Sequence, residues 1–335
     1  MTVTLTLAEV GELTLRALIA CKTNAENAES VTKSVVASEA DGIHSHGLAR
    51  LPTYCEHARC GKIDGNATPT CTPVGPAALK VDACDGFAHP AIDLGFARFI
   101  PLAKETAIAA MAVTNSYNCG VVGYHCERIA EAGLVALGFV NAPASIAPWG
   151  GRKAVFGTNP LTCAIPRRDG SPVVIDQSSS VVAKSEVMVH AQKGEPIPEG
   201  WALDREGRVT TDARAALDGG TMVPMGGYKG AGVALMVETM AAGVTGAHFD
   251  FEASSFAGNE GGSPRTGQFF VAIDPDAFLG AGFRDRIETL FGRILEQEGT
   301  WLHGDDRLAA RRRTAAEGVT ISAALHEKIL AYCSS

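Results

Sequence analysis

Between residues 109 and 175 the chain holds short apolar runs where its ends hold long amphipathic ones. The runs 109–114, 134–141, 161–165 and 173–175 are each bounded by Gly, Pro, Asn or Asp. Such runs read as buried strands. The first sixty residues follow a helical period instead. Thr6 and Glu9 make a capping box, after which Val10, Leu13, Ala17 and Cys21 recur on one face. A second helix is expected over 25–40, with Ala28, Val31 and Val35 inward and Gly42 just past its end. A third holds Leu48, Leu51 and Cys55, with Pro52 tolerated only in its first turn. Helices are also expected over 121–132 and 230–242, a strand over 269–273, and an amphipathic helix over 283–297 with Ile287, Leu290, Phe291 and Ile294 on one face. Arg311, Arg312 and Arg313 read as a solvated helix face. Helices at both ends and strands between them suggest one domain inserted between the two halves of another.

The 335 residues are enough for one large or two ordinary domains. A net charge of −8 argues against a nucleic-acid partner, which needs a basic face. No apolar run reaches the roughly 18 residues of a membrane span, and residues 1–8 lack a basic stretch followed by an apolar one. The nine cysteines are odd in number and form no Cys-x-x-Cys pair. The expectation is free thiols in a reducing cytoplasm, with neither a disulfide framework nor a zinc site.

The densest chemistry is His44-Ser45-His46-Gly47-Leu48-Ala49-Arg50. Imidazole passes protons near neutral pH, a hydroxyl beside it orients or relays them, and a guanidinium matches a carboxylate. Arg50 shares a helical face with His46. His44 and His46 alone are also what a structural turn or a metal pair looks like, although no third histidine or carboxylate stands beside them. No Gly-x-Gly-x-x-Gly follows a strand, which counts against an ordinary dinucleotide fold. Glycine-rich turns occur at 118–123, 149–151, 156–160 and 226–230, the first and last leading into expected helices. Their backbone amides could hold phosphate, with Lys229 adding charge. Asp176-Gln177-Ser178-Ser179-Ser180 ends a strand with a polar cluster.

Together these segments resemble the type-2 malate/L-lactate dehydrogenase family, which is not Rossmann-type. The resemblance is carried in order by His44-Ser45-His46-Gly47 with Arg50, Ala147-Pro148-Trp149-Gly150-Gly151, Phe156-Gly157-Thr158-Asn159-Pro160-Leu161, Gly227-Tyr228-Lys229-Gly230, Gly267-Gln268-Phe269-Phe270 and His303-Gly304-Asp305. It implies an α/β fold of two domains. A mostly antiparallel sheet would form the cofactor domain over 111–276. The N- and C-terminal parts, 1–110 and 277–335, would form a helical substrate domain. It also implies a homodimer, a small-molecule substrate bound between domains, and NADPH or NADH as cofactor. Cofactor contacts would come from Asn118, Cys119, Gly120, Val121 and Val122, from Asp176, Gln177, Ser178, Lys184 and Ser185, from Lys229, and from His303, Gly304, Asp305, Asp306 and Arg307. Lys184 and Arg307 are the cations that could meet a 2′-phosphate.

One departure matters. In the hydroxy-acid branch a catalytic histidine opens the turn that begins here with Asn118, and an amide cannot exchange a proton as imidazole does. The chain is closer to the branch that reduces cyclic imine carboxylates. There the resemblance implies Ser45, His46 and Glu186 as catalytic residues, with Glu186 standing where that branch usually has aspartate. Arg50, His44 and Thr158 would contact the substrate. The expected reactions are Δ1-pyrroline-2-carboxylate to L-proline and Δ1-piperideine-2-carboxylate to L-pipecolate. The alternative is a 2-oxo acid/2-hydroxy acid dehydrogenase of the same family.

Overall fold

The computed structural model describes residues 1–334. β1 (Thr2–Leu5) leads into α1 (Leu7–Ala20), whose capping box forms as expected: the Thr6 amide donates to Glu9 Oε2 at 2.7 Å, and the Glu9 amide donates to Thr6 Oγ1 at 3.2 Å. α2 (Ala25–Ala40) begins at Asn24, and α3 (Leu51–Arg59) carries Pro52 in its first turn. β1 pairs antiparallel with β12 (Val319–Ser322), just ahead of α12 (Ala323–Cys333), so the two ends of the chain close on each other. Val10, Leu13, Val31, Val35, Leu51, Tyr54, Ile321, Ile329 and Tyr332 fill their common core.

A seven-stranded sheet runs in the order β2-β3-β4-β11-β5-β6-β7. Its strands are β2 (Thr70–Gly75), β3 (Ala78–Asp82), β4 (Ile108–Ser116), β5 (Val135–Val140), β6 (Leu161–Ile165), β7 (Val173–Gln177) and β11 (Thr266–Ile273). Only β3 and β4 are parallel; every other neighbour is antiparallel. The runs expected over 109–175 are thus strands of one sheet, and the sheet extends back to Thr70, where no strand was expected. α4 (Ala88–Thr106) and α5 (Val122–Glu131) cover one face. Gly95 lets α4 come close, since a Cβ there would run into the Met111 sulfur.

The other face is covered by α8 (Tyr228–Glu238) and its π-helical continuation, Thr239–Val244, through Val237, Ala241, Phe139 and Phe269. A small outlying unit joins α6 (Lys184–Lys193), β8 (Ala202–Leu203), β9 (Val209–Thr210), α7 (Ala213–Leu217) and β10 (Thr221–Met222) around Ile146, Val187 and Ile197. After β11 come α9 (Asp276–Leu279), α10 (Phe283–Leu295) and α11 (Asp305–Glu317). Phe291 of α10 packs on Val173 of β7, whereas Leu290, expected on the same apolar face, is exposed.

The arginine run on α11 is not uniformly solvated. Arg311 donates to Asp41 Oδ1 at 2.7 Å and to Glu127 Oε2 at 3.0 Å, tying α11 to α2 and α5. All nine cysteines are free. Among the described residues no helix is long and apolar enough to cross a membrane, and no group of three or more His, Cys, Asp or Glu is arranged to hold a metal ion.

Candidate active site

His44, Ser45 and His46 form a single 3-10 turn between α2 and α3. The residue that shapes it is Glu39, whose side chain is buried at the end of α2. Its Oε2 faces His44 Nδ1 at 2.5 Å, and its Oε1 accepts the Leu48 amide at 2.6 Å. Gly47 is required here, because any Cβ would collide with that carboxylate. One carboxylate therefore pins both ends of the turn. The sequence gives no sign of this, since Glu39 reads as an ordinary helix residue.

Within the turn, Ser45 Oγ lies 3.1 Å from His46 Nδ1, so the expected hydroxyl–imidazole pair is assembled. Burial first, and then the Arg50 charge, lower the His46 pKa to about 4. His46 is therefore neutral in the free protein at ordinary pH. Arg50 makes no ion pair among the described residues, and its Nε is buried with no hydrogen-bond partner. Around it stand the Phe256 ring, 5.7 Å from the guanidinium carbon, and the Tyr54 and Tyr117 rings, whose centroids are 5.9 Å apart. His57 Nδ1 meets Tyr117 Oη at 2.7 Å, and burial, then Lys62 and Arg50, lower the His57 pKa to about 4. A cation walled by aromatic rings and neutral imidazoles has the chemistry to accept an anion.

Tyr54 connects this pocket to the first glycine-rich turn. Its hydroxyl donates to Asn118 Oδ1 at 3.0 Å, and the Gly120 amide donates to the same oxygen at 2.8 Å. Asn118 thus has its carbonyl engaged and its amide nitrogen left as a donor. Beneath the turn, His125 Nε2 lies 2.9 Å from the Cys119 carbonyl.

The other glycine-rich segments converge on the end of β7. Asp176 accepts from the Gly123 amide at 2.7 Å and from Thr162 Oγ1 at 2.7 Å. The Thr158 carbonyl accepts from Ser178 Oγ at 3.0 Å and from the Ser179 amide at 2.8 Å. The Ser179 carbonyl accepts the Met225 amide at 2.9 Å, just ahead of Gly226 and Gly227. The His303 carbonyl accepts the Val174 amide at 3.2 Å. Asn118–Val122, Asp176–Ser178, the turn before Lys229 and the 303–307 segment are therefore neighbours in space, although they span almost two hundred residues of sequence.

The residues here fit a dinucleotide. α5, α6, α8 and α11 open at Val121, Ala183, Gly227 and Gly304, none of which supplies a side-chain cap. Among their first-turn N–H groups, Gly123 donates to Asp176, Asp305 to the Leu302 carbonyl, and Tyr124 and Glu186 to the carbonyls that open their own helices, while first-turn amides such as those of Lys184, Ser185, Tyr228 and Lys229 are the kind that hold phosphate. Lys184 and Ser185 open α6, and Lys229 lies exposed in the first turn of α8.

Two of the expected residues are placed differently from the rest. Glu186 is exposed on α6, and no hydrogen bond joins it to Ser45 or His46 among the described residues. The Arg307 guanidinium is already engaged, 3.2 Å from Glu127 Oε2 and 3.6 Å from Asp41 Oδ2, and is only 11% exposed. The expectation that it meets a 2′-phosphate overlooked those two carboxylates, which come from helices far away in sequence.

The chain matches the model of the malate/L-lactate dehydrogenase family over residues 5–330. It is 46% identical to the (2R)-3-sulfolactate dehydrogenase (NADP(+)) of Chromohalobacter salexigens over 331 residues, covering 99% of this chain and 98% of that protein. It is 40% identical to the Δ1-pyrroline-2-carboxylate/Δ1-piperideine-2-carboxylate reductase of Pseudomonas aeruginosa, covering 98% of each. The fold superposes on the crystal structure of the Δ1-piperideine-2-carboxylate reductase of Pseudomonas syringae with a TM-score of 0.94 at 36% identity, covering 98% of this chain and 99% of that one. The chain belongs to the malate/L-lactate dehydrogenase family and is an NAD(P)-dependent oxidoreductase.

Proposed function

We propose that the chain reduces cyclic imine carboxylates with NADPH, converting Δ1-pyrroline-2-carboxylate to L-proline and Δ1-piperideine-2-carboxylate to L-pipecolate. The observation that carries this reading is the Arg50 guanidinium, without an ion-pair partner among the described residues and with its Nε buried and unbonded, beside the Ser45–His46 pair, with an asparagine at the head of the neighbouring turn. Arg50 takes the substrate carboxylate in a bidentate contact and so fixes which face of C2 is presented. A bound nicotinamide supplies hydride at that carbon.

The carboxylate also changes His46. Arg50 is one of the two causes that keep this imidazole neutral, and an anion on Arg50 removes that cause. His46 then holds a proton more readily, and it delivers that proton to the ring nitrogen or keeps it there. Ser45 orients the imidazole through Nδ1. We assign Glu186 to the acidic end of this relay, reached when substrate and cofactor are bound. An imine nitrogen is basic, so one modest acid suffices. A ketone becomes an alkoxide and needs a stronger donor, which Asn118 is not. Lys184 is the cation assigned to a 2′-phosphate.

The second reading, a 2-hydroxy acid dehydrogenase, is favoured by one observation, the 46% identity to a sulfolactate dehydrogenase. Both readings fit domains split at about residues 110 and 276, a cytoplasmic protein, and a homodimer whose second copy covers the exposed Leu235, Met236, Phe249 and Phe251. The deciding measurement is NADPH or NADH oxidation with Δ1-pyrroline-2-carboxylate, Δ1-piperideine-2-carboxylate, pyruvate and sulfopyruvate. The proposal expects kcat/KM for a cyclic imine to exceed that for either 2-oxo acid by at least about a hundredfold, the scale of one well-placed proton donor. Faster turnover of sulfopyruvate would replace it with the second reading.

A further inference from the structure

Lys62 is buried, with 1% of its surface exposed, and it forms no ion pair among the described residues. Its ammonium instead donates to three backbone carbonyls: Ser255 at 2.6 Å, Gly258 at 2.7 Å and Glu260 at 2.7 Å. An ammonium has three donors and no acceptor, so these carbonyls use it completely. Burying such a charge is tolerated only when it is satisfied in this way. All three carbonyls belong to one loop, between the π-helical segment and β11, whereas Lys62 follows α3 in the helical part of the protein. A single cation therefore fastens the loop at three points across the two parts of the fold.

That loop carries Phe256. Its ring covers the Arg50 guanidinium at 5.7 Å and packs edge-on against Tyr117 at 5.1 Å. Tyr117 is in turn bonded to His57. We propose that Phe256 is a specificity-determining residue of the Arg50 anion site and that Lys62 is the positioning residue that holds it there. The inference rests on the reading of Arg50 as the carboxylate clamp.

An aromatic face attracts a guanidinium and repels an anion. With Phe256 over one face of Arg50, the site accepts one carboxylate at the guanidinium edge and meets the rest of the substrate with an apolar ring. A second anionic group on the substrate finds no partner beside it. The Lys62 donors are spent, and His57 is neutral and bonded to Tyr117. The wall therefore selects for a carboxylate attached to a hydrocarbon ring and against a sulfonated or dicarboxylic hydroxy acid.

Phe256→Ala and Lys62→Met test this. The readouts are KM and kcat for Δ1-pyrroline-2-carboxylate with NADPH, the inhibition constant of sulfolactate, and NADPH affinity by fluorescence. Phe256→Ala should raise KM for the imine about tenfold, lower the sulfolactate inhibition constant, and leave kcat within about threefold and NADPH affinity unchanged. Lys62→Met should move the same constants in the same direction. The double variant should be no worse than Phe256→Ala alone, because Lys62 acts through the ring. An unchanged KM in folded Phe256→Ala overturns the proposal, as does full additivity in the double variant. If Lys62→Met does not fold, a Phe256→Leu and Phe256→Ala series decides the matter alone. If the wild type does not turn over imines, the imine reading falls. The sulfolactate constants of Phe256→Ala still test the wall.

Discussion

Asp41 and Arg50 are nine residues apart in sequence and stand in opposite chemical situations. Around Asp41, every charge has a partner: Arg311 donates to both of its oxygens, at 2.7 and 3.0 Å, and Glu127 and Arg307 complete a four-residue cluster joining α2, α5 and α11. Around Arg50, a guanidinium nitrogen is buried without a partner, and the neighbouring imidazoles are kept neutral. Both regions are enclosed by helices and both hold arginine. The difference is saturation. A charge whose bonds are complete within the chain fastens the fold, and one whose bonds are incomplete is a candidate for a ligand. Arg307 shows why this matters, because the cation expected at a 2′-phosphate is one that two carboxylates already hold.

The comparison breaks first, and by the largest amount, in kinetics. His46→Ala should lower kcat for the imine at least about a hundredfold, as expected for a lost acid–base group. Arg50→Ala should mainly raise KM, since the carboxylate contact is made in ground and transition states alike. In Arg50→Met the His46 pKa should rise yet stay below 6.5, because burial is the larger of its two causes. Proton NMR of the imidazole against pH reads this directly. A His46 pKa that does not respond to loss of Arg50 would cut the link between carboxylate binding and proton delivery.

Much of this was legible before any coordinates, and the boundary is physical. β6 runs over the five residues its apolar pattern marks, and α2 over the sixteen expected. Both are local, set by periodicity and caps. The 44–50 cluster was legible because its members are contiguous. β2 was not, because Thr72, Pro73 and Val74 are exposed at the sheet edge and give no alternation to read, and its partner β3 alternates over only five residues, with Leu79 and Val81 inward about Lys80. Glu39, Lys62 and Phe256 were not legible either. Each acts on a partner brought to it by tertiary contact, and nothing in the flanking residues announces it. The gathering of residues 123, 158, 225 and 303 along β7 and the turn that follows it depends on strand order, which composition does not encode.

The next effect is on stability against pH. His46, His57 and His89 are all lowered to about 4, with burial the first cause in each, and His125 is lowered further by burial and by His89. The unfolded chain takes protons on these imidazoles near 6.5, before the folded chain does. Stability is therefore full above 6.5 and is lost as pH falls from there toward 4. Urea unfolding between pH 7 and 4.5 should show this decline. His46→Gln should reduce the proton uptake on unfolding by about one over the same window. A profile flat across that window would mean that the imidazoles are already solvated in the folded protein.

The smallest effect belongs to the saturated region and tests the idea of saturation itself. Asp41→Asn keeps the shape and one acceptor oxygen but removes the charge that Arg311 grips with two donors. Arg311 is about one-third exposed, so water recovers part of the loss, and Glu127 still holds both arginines. The expected cost is about 1–2 kcal/mol, below the figure for a fully buried pair broken on one side. Because Asp41 reaches the 303–307 segment only through Arg307, which Glu127 still holds at 3.2 Å, kcat for the imine should stay within about twofold of the parent. The two measurements have to be made together. Lost stability with intact turnover is what a purely structural charge cluster gives. Lost turnover at unchanged stability would mean that the Arg307 pairing with Asp41 is part of how the 303–307 segment meets the cofactor, and the contrast between the two arginine sites would have to be redrawn.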